Sequence, residues 1–267
     1  MIQAVVTDLA GSTIDFGSSA PAGAFVELFR RHNVTITRDQ ARAPMGLEKR
    51  DHIVAILAMD TVAAGWRESH DGSNYNEEDV DNLYAEFIPL QLELLPDFGK
   101  LIPGVVDIMN GLMEEGIRIG ATTGYNQAMM EVVLKSAAEQ GFMPQAAVCA
   151  DVVSRGRPWP WMIYRIMEKL EIFPPSKVVN IGDTLPDVIS GLRAGVWSVG
   201  LVASGNMMGC GSAEELAAIE PVFRETKLAE GRQAMLGAGA HYVIDTVADL
   251  QPVLSEINER LSKGEMP

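Results

Sequence analysis

Four short polar clusters hold the residues able to do chemistry, and each lies beside a short apolar run. Asp8 follows Ile2, Ala4, Val5 and Val6 in the opening stretch M-I-Q-A-V-V-T-D-L-A-G-S-T-I. A carboxylate there can attack phosphorus as a nucleophile or hold a divalent metal. Thr122-Thr123-Gly124 comes after the run Ile117–Ala121. A hydroxyl and free backbone N–H groups at Thr123 and Gly124 suit a phosphoryl oxygen. Arg157, in Arg155-Gly156-Arg157-Pro158, suits bidentate clamping of the same group. In Gly182-Asp183-Thr184-Leu185-Pro186-Asp187, two carboxylates four residues apart suit a hard cation. Taken singly, each cluster has an ordinary reading: a turn aspartate, a Thr-Gly turn, a surface arginine, a helix cap. Their common placement at strand ends makes one shared site the better reading.

The elements that position these clusters follow from periodicity. Short apolar strands at 117–121, 146–149, 177–181, 197–201 and 242–244 alternate with helical patterns at 104–115, 126–140, 159–170, 185–194 and 247–261. Alternation of this kind implies an α/β fold with a doubly wound parallel sheet, whose strand carboxyl ends share one edge. Pro21 to Leu95 is different, with helical spacing throughout and no convincing strand. Thr37 reads as an N-cap, and Asn76-Glu77-Glu78-Asp79 opens a long acidic helix that could kink at Pro89. A purely helical block inside an α/β chain reads as an insertion. The expected division is a core of residues 1–16 and 98–267 around an all-helical cap domain, 17–97. Residues 208–239 read as mostly helical with glycine-rich ends.

The bulk properties narrow the partners. A formal charge of −15 over 267 residues argues against a general nucleic-acid binder. Two cysteines, Cys149 and Cys210, make no disulfide framework and suggest a reducing compartment. No basic n-region precedes a long apolar stretch, and no run nears the roughly 18 apolar residues of a spanning helix. The expectation is a soluble cytoplasmic protein with a small-molecule substrate, no nucleic acid and no membrane.

D-L-A-G-S-T, T-T-G, R-G-R-P and G-D-T-L-P-D resemble the four loop motifs of the haloacid dehalogenase superfamily, and the helical block resembles its inserted cap. The resemblance implies an aspartyl-phosphate on Asp8. It also implies magnesium held by Asp8, the Ala10 carbonyl and Asp183, with Asp187 positioning water or ligands nearby. Thr123, Gly124 and Arg157 would bind the phosphoryl group.

One departure decides the branch. Phosphatases of the superfamily usually carry D-x-D, where the second acid protonates the leaving alkoxide. Here that place is Ala10, so an ester phosphatase would lose about two to four powers of ten. The cap offers another route. Met45 and Lys49 stand at i and i+4, and His52, at i+3 from Lys49, lies on nearly the same side. A lysine kept partly neutral there can attack an aldehyde, and the iminium is an electron sink. A phosphonate with a carbonyl next to its phosphorus-bound carbon needs such a sink to break its C–P bond. Because the leaving group is then carbon, no acid at position 10 is required.

Pro44-Met45-Gly46-Leu47-Glu48-Lys49-Arg50-Asp51-His52 resembles the P-M-G-x-x-K-x-D-H cap signature of the phosphonoacetaldehyde hydrolase family, and D-L-A-G-S resembles its D-x-A-G-[ST] loop. Leu9 departs from the family, which usually has Trp there. The resemblance implies hydrolysis of phosphonoacetaldehyde to acetaldehyde and phosphate. Asp8 and Lys49 would form the two covalent intermediates, and His52 would assist proton transfer. Met45, Gly46 and Tyr125 would line the substrate cavity, and a homodimer would form through the caps. The alternatives are a magnesium-dependent phosphatase or phosphomutase acting on a small ester, or a non-catalytic phosphate-binding relative.

Overall fold

In the computed structural model, which describes residues 1–267, six parallel strands form one sheet flanked by helices. In chain order the elements begin with β1 (Ala4–Asp8) and the helices α1 (Ser19–Arg31), α2 (Arg38–Arg42), α3 (Lys49–Leu57), α4 (Asp60–Ser69) and α5 (Glu77–Leu94). There follow α6 (Val105–Glu114), β2 (Arg118–Thr123), α7 (Gln127–Glu139), β3 (Ala146–Cys149), α8 (Trp161–Leu170), β4 (Val178–Gly182), α9 (Leu185–Ala194) and β5 (Trp197–Leu201). The chain ends with α10 (Ala213–Ala218), α11 (Pro221–Gly237), β6 (Tyr242–Ile244) and α12 (Leu250–Ser262).

The strand order is β3-β2-β1-β4-β5-β6. β1 is central because every one of its residues is buried and its alternate side chains feed different layers. Val5 joins the main core, which continues into the helical block. Ala4 and Val6 face a second cluster under α8 with Val148, Ile163, Ile166 and Val178. The sheet turns direction at β1, between β2 and β4, so Asp8 stands at the switch point where ligands collect in open α/β sheets.

Between Ser19 and Leu94 the regular elements are all helices, as their spacing predicts, and α1 and α5 form the cap's main pair. Thr37 and Asn76 each close a capping box. Pro89 sits inside α5, which runs on to Leu94 as one helix. The chain enters and leaves this block along one narrow seam. Asp15 N donates to Lys100 O at 3.1 Å and Ile102 N to Thr13 O at 2.9 Å, and Ile14 bridges Leu101. One short difference from the sequence reading concerns β2, which runs two residues past Ala121 to Thr123, whereas residues 208–239 are mostly helical as expected, in α10 and α11. The extension of β2 has a plain cause, since Asp8 and Cys149 on the neighbouring strands pair with Thr122 and Thr123. No helix is long and apolar enough to cross a membrane.

Candidate active site

Asp8 ends β1, Thr122 and Thr123 end β2, and Asp183 follows β4 directly, so strand register brings them to one edge. Asp8, Ala10, Thr123, Gly124, Arg157 and Asp183 share a cavity with Met45, Gly46, Lys49 and Tyr125, which the cap and the β2 loop supply. The space inside it is about 20 Å³, room for roughly one water molecule.

The cap sits down on this site through close backbone approaches. A Cβ on Gly124 would lie 2.7 Å from Leu47 O, and one on Gly46 would meet Thr184 Oγ1 at 2.1 Å. Gly46 also holds φ at 94°, a left-handed conformation that glycine adopts without strain.

Arg157 organises the acids. Its Nη2 lies 2.7 Å from Asp8 Oδ1 and its Nε 2.8 Å from Asp187 Oδ1, and Nη2 also donates to Thr122 Oγ1 at 2.7 Å. The two threonines therefore divide their work. Thr122 steadies Arg157, whereas Thr123 lines the cavity and its Oγ1 accepts from Tyr125 N at 3.1 Å. Asp187 does not reach the cavity wall. It is held by Arg157 and by Thr184, whose N–H and hydroxyl both donate to Oδ2. Burial pushes Asp187 up to about 7 despite the guanidinium.

Asp183 is fully buried and has no basic partner in direct contact. It accepts from Ser12 Oγ and Ser18 Oγ, each at 3.3 Å, and from Asn206 N at 2.7 Å. Burial, with Asp8 and Asp187 beside it, holds its carboxyl well above the usual carboxylate range. One carboxylate oxygen from each of Asp8, Asp183 and Asp187 falls within 4.8 Å of the others. Three buried acids served by one arginine are an incomplete charge balance, and an all-oxygen donor set fits a hard divalent cation. Ala10 lines the same cavity, and its carbonyl accepts from Ser18 Oγ at 3.0 Å.

Lys49 opens α3 and is only 5% exposed. Its Nζ lies 5.1 Å from the centre of the Tyr125 ring and 5.7 Å from that of Phe25. Burial pulls its ammonium down to about 8, with Asp8 opposing. The amino end of a helix acts in the same direction as burial. His52 is placed otherwise than its spacing suggests. One turn along α3, it faces the cap interior and lies outside the cavity wall. Its ring stacks on Phe25 at 4.0 Å and Nε2 is 2.8 Å from Ala41 O, while Nδ1 is buried without a partner. Burial holds His52 well below its ordinary value, so the ring is neutral. The Tyr125 hydroxyl is likewise buried and unpartnered.

Several polar residues here escaped the motif reading. Asp15 is buried, accepts from Ser19 N and Ala20 N at 3.0 Å each, and is pushed by burial up to about 7. Ser18, outside the D-L-A-G-S-T motif, serves Asp183 from the loop after Asp8 together with the motif's own Ser12. Asn206 lies in the Ser204-Gly205-Asn206 turn beyond β5. That turn had a legible signal, since it follows a strand and so belongs to the same sheet edge.

Residues 2–195 match the family model described as haloacid dehalogenase-like hydrolase, and residues 154–250 match one described as HAD-hydrolase-like. The phosphonoacetaldehyde hydrolase of Paraburkholderia xenovorans is 41% identical over 268 residues, spanning 100% of this chain and 99% of that protein. The phosphonoacetaldehyde hydrolase of Syntrophobacter fumaroxidans is 41% identical over 266 residues, spanning 100% and 95%. Among solved structures, a phosphonoacetaldehyde hydrolase-like protein from Oleispira antarctica superposes with a TM-score of 0.97 at 41% identity, covering 100% of this chain and 96% of that one.

Proposed function

Because this chain belongs to the phosphonoacetaldehyde hydrolase family of the haloacid dehalogenase-like hydrolases, and is a hydrolase acting on carbon–phosphorus bonds, we propose that it cleaves phosphonoacetaldehyde to acetaldehyde and phosphate. The observation that carries the reading is the shared cavity wall of Asp8, Ala10 and Lys49: a carboxylate, a methyl where an acid would serve an ester, and a buried amine.

The amine of Lys49 adds to the aldehyde carbon and water leaves, giving an iminium. Asp8 then attacks phosphorus while the C–P electron pair moves onto carbon, and the product is an enamine on Lys49. Arg157 gives up Asp8 for the phosphoryl oxygens while its Nε stays on Asp187, with Thr123 and Gly124 as further donors. Protonation of the enamine carbon and hydrolysis of the iminium release acetaldehyde. Water attacks the aspartyl-phosphate and frees phosphate and Asp8. His52, whose ring lies outside the cavity wall, is proposed to assist proton transfer at Lys49 from one turn along α3, through its partnerless Nδ1. Met45, Gly46 and Tyr125 shape the cavity, and Asp187 holds Arg157 in place. Magnesium is the proposed cation for Asp8, the Ala10 carbonyl and Asp183. When bound it would neutralise charge on the phosphoryl oxygens.

A cavity with room for about one water cannot admit the substrate, so residues 17–97 would act as a moving cap over a core of 1–16 and 98–267. The family resemblance also proposes a homodimer joined through that block. None of the chain's large exposed apolar side chains lies there, so such an interface would rest on half-buried groups such as Val26 and Ile88. Light scattering that found only monomer would overturn it. The two unpaired cysteines accord with a cytoplasmic setting.

The deciding experiment is product release with magnesium by the native protein beside Lys49→Arg. Equimolar acetaldehyde and phosphate, lost in the variant, is the expected result. Cleavage of phosphate esters with no acetaldehyde from the phosphonate would favour the phosphatase reading instead.

A further inference from the structure

Asn206 touches both halves of the molecule. Its backbone N–H donates to Asp183 Oδ2 at 2.7 Å. Its side chain exchanges two bonds with Arg42, the last residue of α2 in the cap: Nδ2 donates to Arg42 O at 3.1 Å, and Oδ1 accepts from Arg42 Nη1 at 3.2 Å. The guanidinium reaches further. Nη1 also donates to Gly17 O, on the chain entering the cap, and Nη2 donates to Gly209 O at 3.3 Å. Arg42 is 8% exposed and has no carboxylate in direct contact, so this buried cation is held by carbonyls and one amide.

The loop around Asn206 is built for close approach. A Cβ on Gly205 would lie 2.5 Å from Asp183 Cβ, and one on Gly209 would lie 3.1 Å from Arg42 Nε. Ser204 closes the same seam, with Gly17 N donating to Ser204 O at 2.7 Å and Ser204 Oγ to Gly11 O at 3.0 Å. Arg42 stands two residues before Pro44, at the start of the cap loop that leads to Lys49.

We infer that Arg42 and Asn206 are positioning residues that latch the cap to the Asp183 loop and so link cap closure to occupancy of the acid cluster. The inference rests on the reading of Asp183 as a metal ligand beneath a moving cap. Opening the cap separates Arg42 from Asn206 and Gly209 and releases the loop that supplies the Asp183 hydrogen bond. By thermodynamic linkage, a cation that orders Asp183 favours closure, and closure tightens the cation. The latch acts from behind the Met45–Glu48 loop, so it sets where Lys49 stands without touching substrate.

The test is hydrogen exchange in the linkers at 14–18 and 98–101, measured with and without magnesium plus inorganic phosphate, for the native chain, Arg42→Lys, Asn206→Ala and the double variant. In the native chain the two ligands should slow linker exchange. In either single variant that slowing should largely disappear, the magnesium needed for half-activation should rise about tenfold, and KM should rise more than kcat falls. The double variant should add little to either single one. Native-like slowing in both variants, or effects that simply add, would overturn the latch. If Asn206→Ala fails to fold, Arg42→Lys carries the test, since it keeps the charge and the aliphatic stem. Exchange is read without turnover, so a wrong lysine mechanism would leave this result standing.

Discussion

Asp8 Oδ1 and Arg157 Nη2 lie 2.7 Å apart in a direct ion pair, with both side chains nearly sealed from solvent. The residue proposed to attack phosphorus and the residue proposed to hold it thus neutralise each other in the closed state. Asp187 secures the other edge of the guanidinium at Nε. A phosphoryl group entering this site must part Asp8 from Arg157 while Asp187 keeps the arginine plane fixed.

Arg157→Lys should therefore lower kcat/KM by about a hundredfold or more, because a point charge cannot serve Asp187 and a phosphoryl group through a planar fork. Phosphate should also inhibit the variant more weakly. Steady-state kinetics with phosphate as product inhibitor checks both, and retention of native values would show that the fork is dispensable.

Lys49 must be neutral to attack an aldehyde, and burial brings its ammonium down to about 8. Activity should rise with pH through a midpoint at or below about 8, since a cation beside Asp8 would cancel part of the field that keeps Lys49 charged. Borohydride added with acetaldehyde should leave an ethyl group on the peptide that contains Lys49, read by mass spectrometry. A flat pH profile together with an unmodified peptide would remove the lysine from the chemistry.

The acid cluster ties stability to pH in the metal-free protein. Asp15 and Asp187 are pushed up to about 7 and Asp183 well above its ordinary value, chiefly by burial. The folded state then binds more protons than the unfolded one, so stability should fall as pH rises from about 4 through 7. Magnesium should flatten that slope. Asp183→Asn removes a carboxyl whose ionisation burial opposes and should melt higher than the native chain at pH 8 without metal, yet gain nothing from magnesium. Thermal melts across pH, with and without magnesium, decide it. A metal-free melting point that climbs over this range would contradict the assignment.

Gly124→Ala puts a methyl 2.7 Å from Leu47 O, in the seam between core and cap. The core strand behind it is undisturbed, so the variant should fold with little change in melting temperature. KM should rise about tenfold or more because the cap cannot seat. Unchanged kinetics would mean that the cap loop yields at that point.

Which residues reach the sheet edge is written in the order of the amino acids. Short apolar runs that stop just before Thr7-Asp8, Thr122 and Gly182 specify strands, and a parallel sheet sends all their carboxyl ends the same way. Ala10 and Lys49 were legible as chemical types because an absent acid and a cap lysine are local facts. How the side chains divide the work depends on packing between segments distant in the chain. Thr122 and Thr123 are neighbours with opposite fates, since successive residues of a strand face opposite ways. His52 turns into the cap core because Phe25, 27 residues earlier in the chain, offers a ring to stack on. Arg42 and Asn206 are separated by 164 residues, and no spacing rule connects them. Their contact exists only once cap and core have closed on each other, because burial, charge balance and long-range hydrogen bonds are properties of the packed chain.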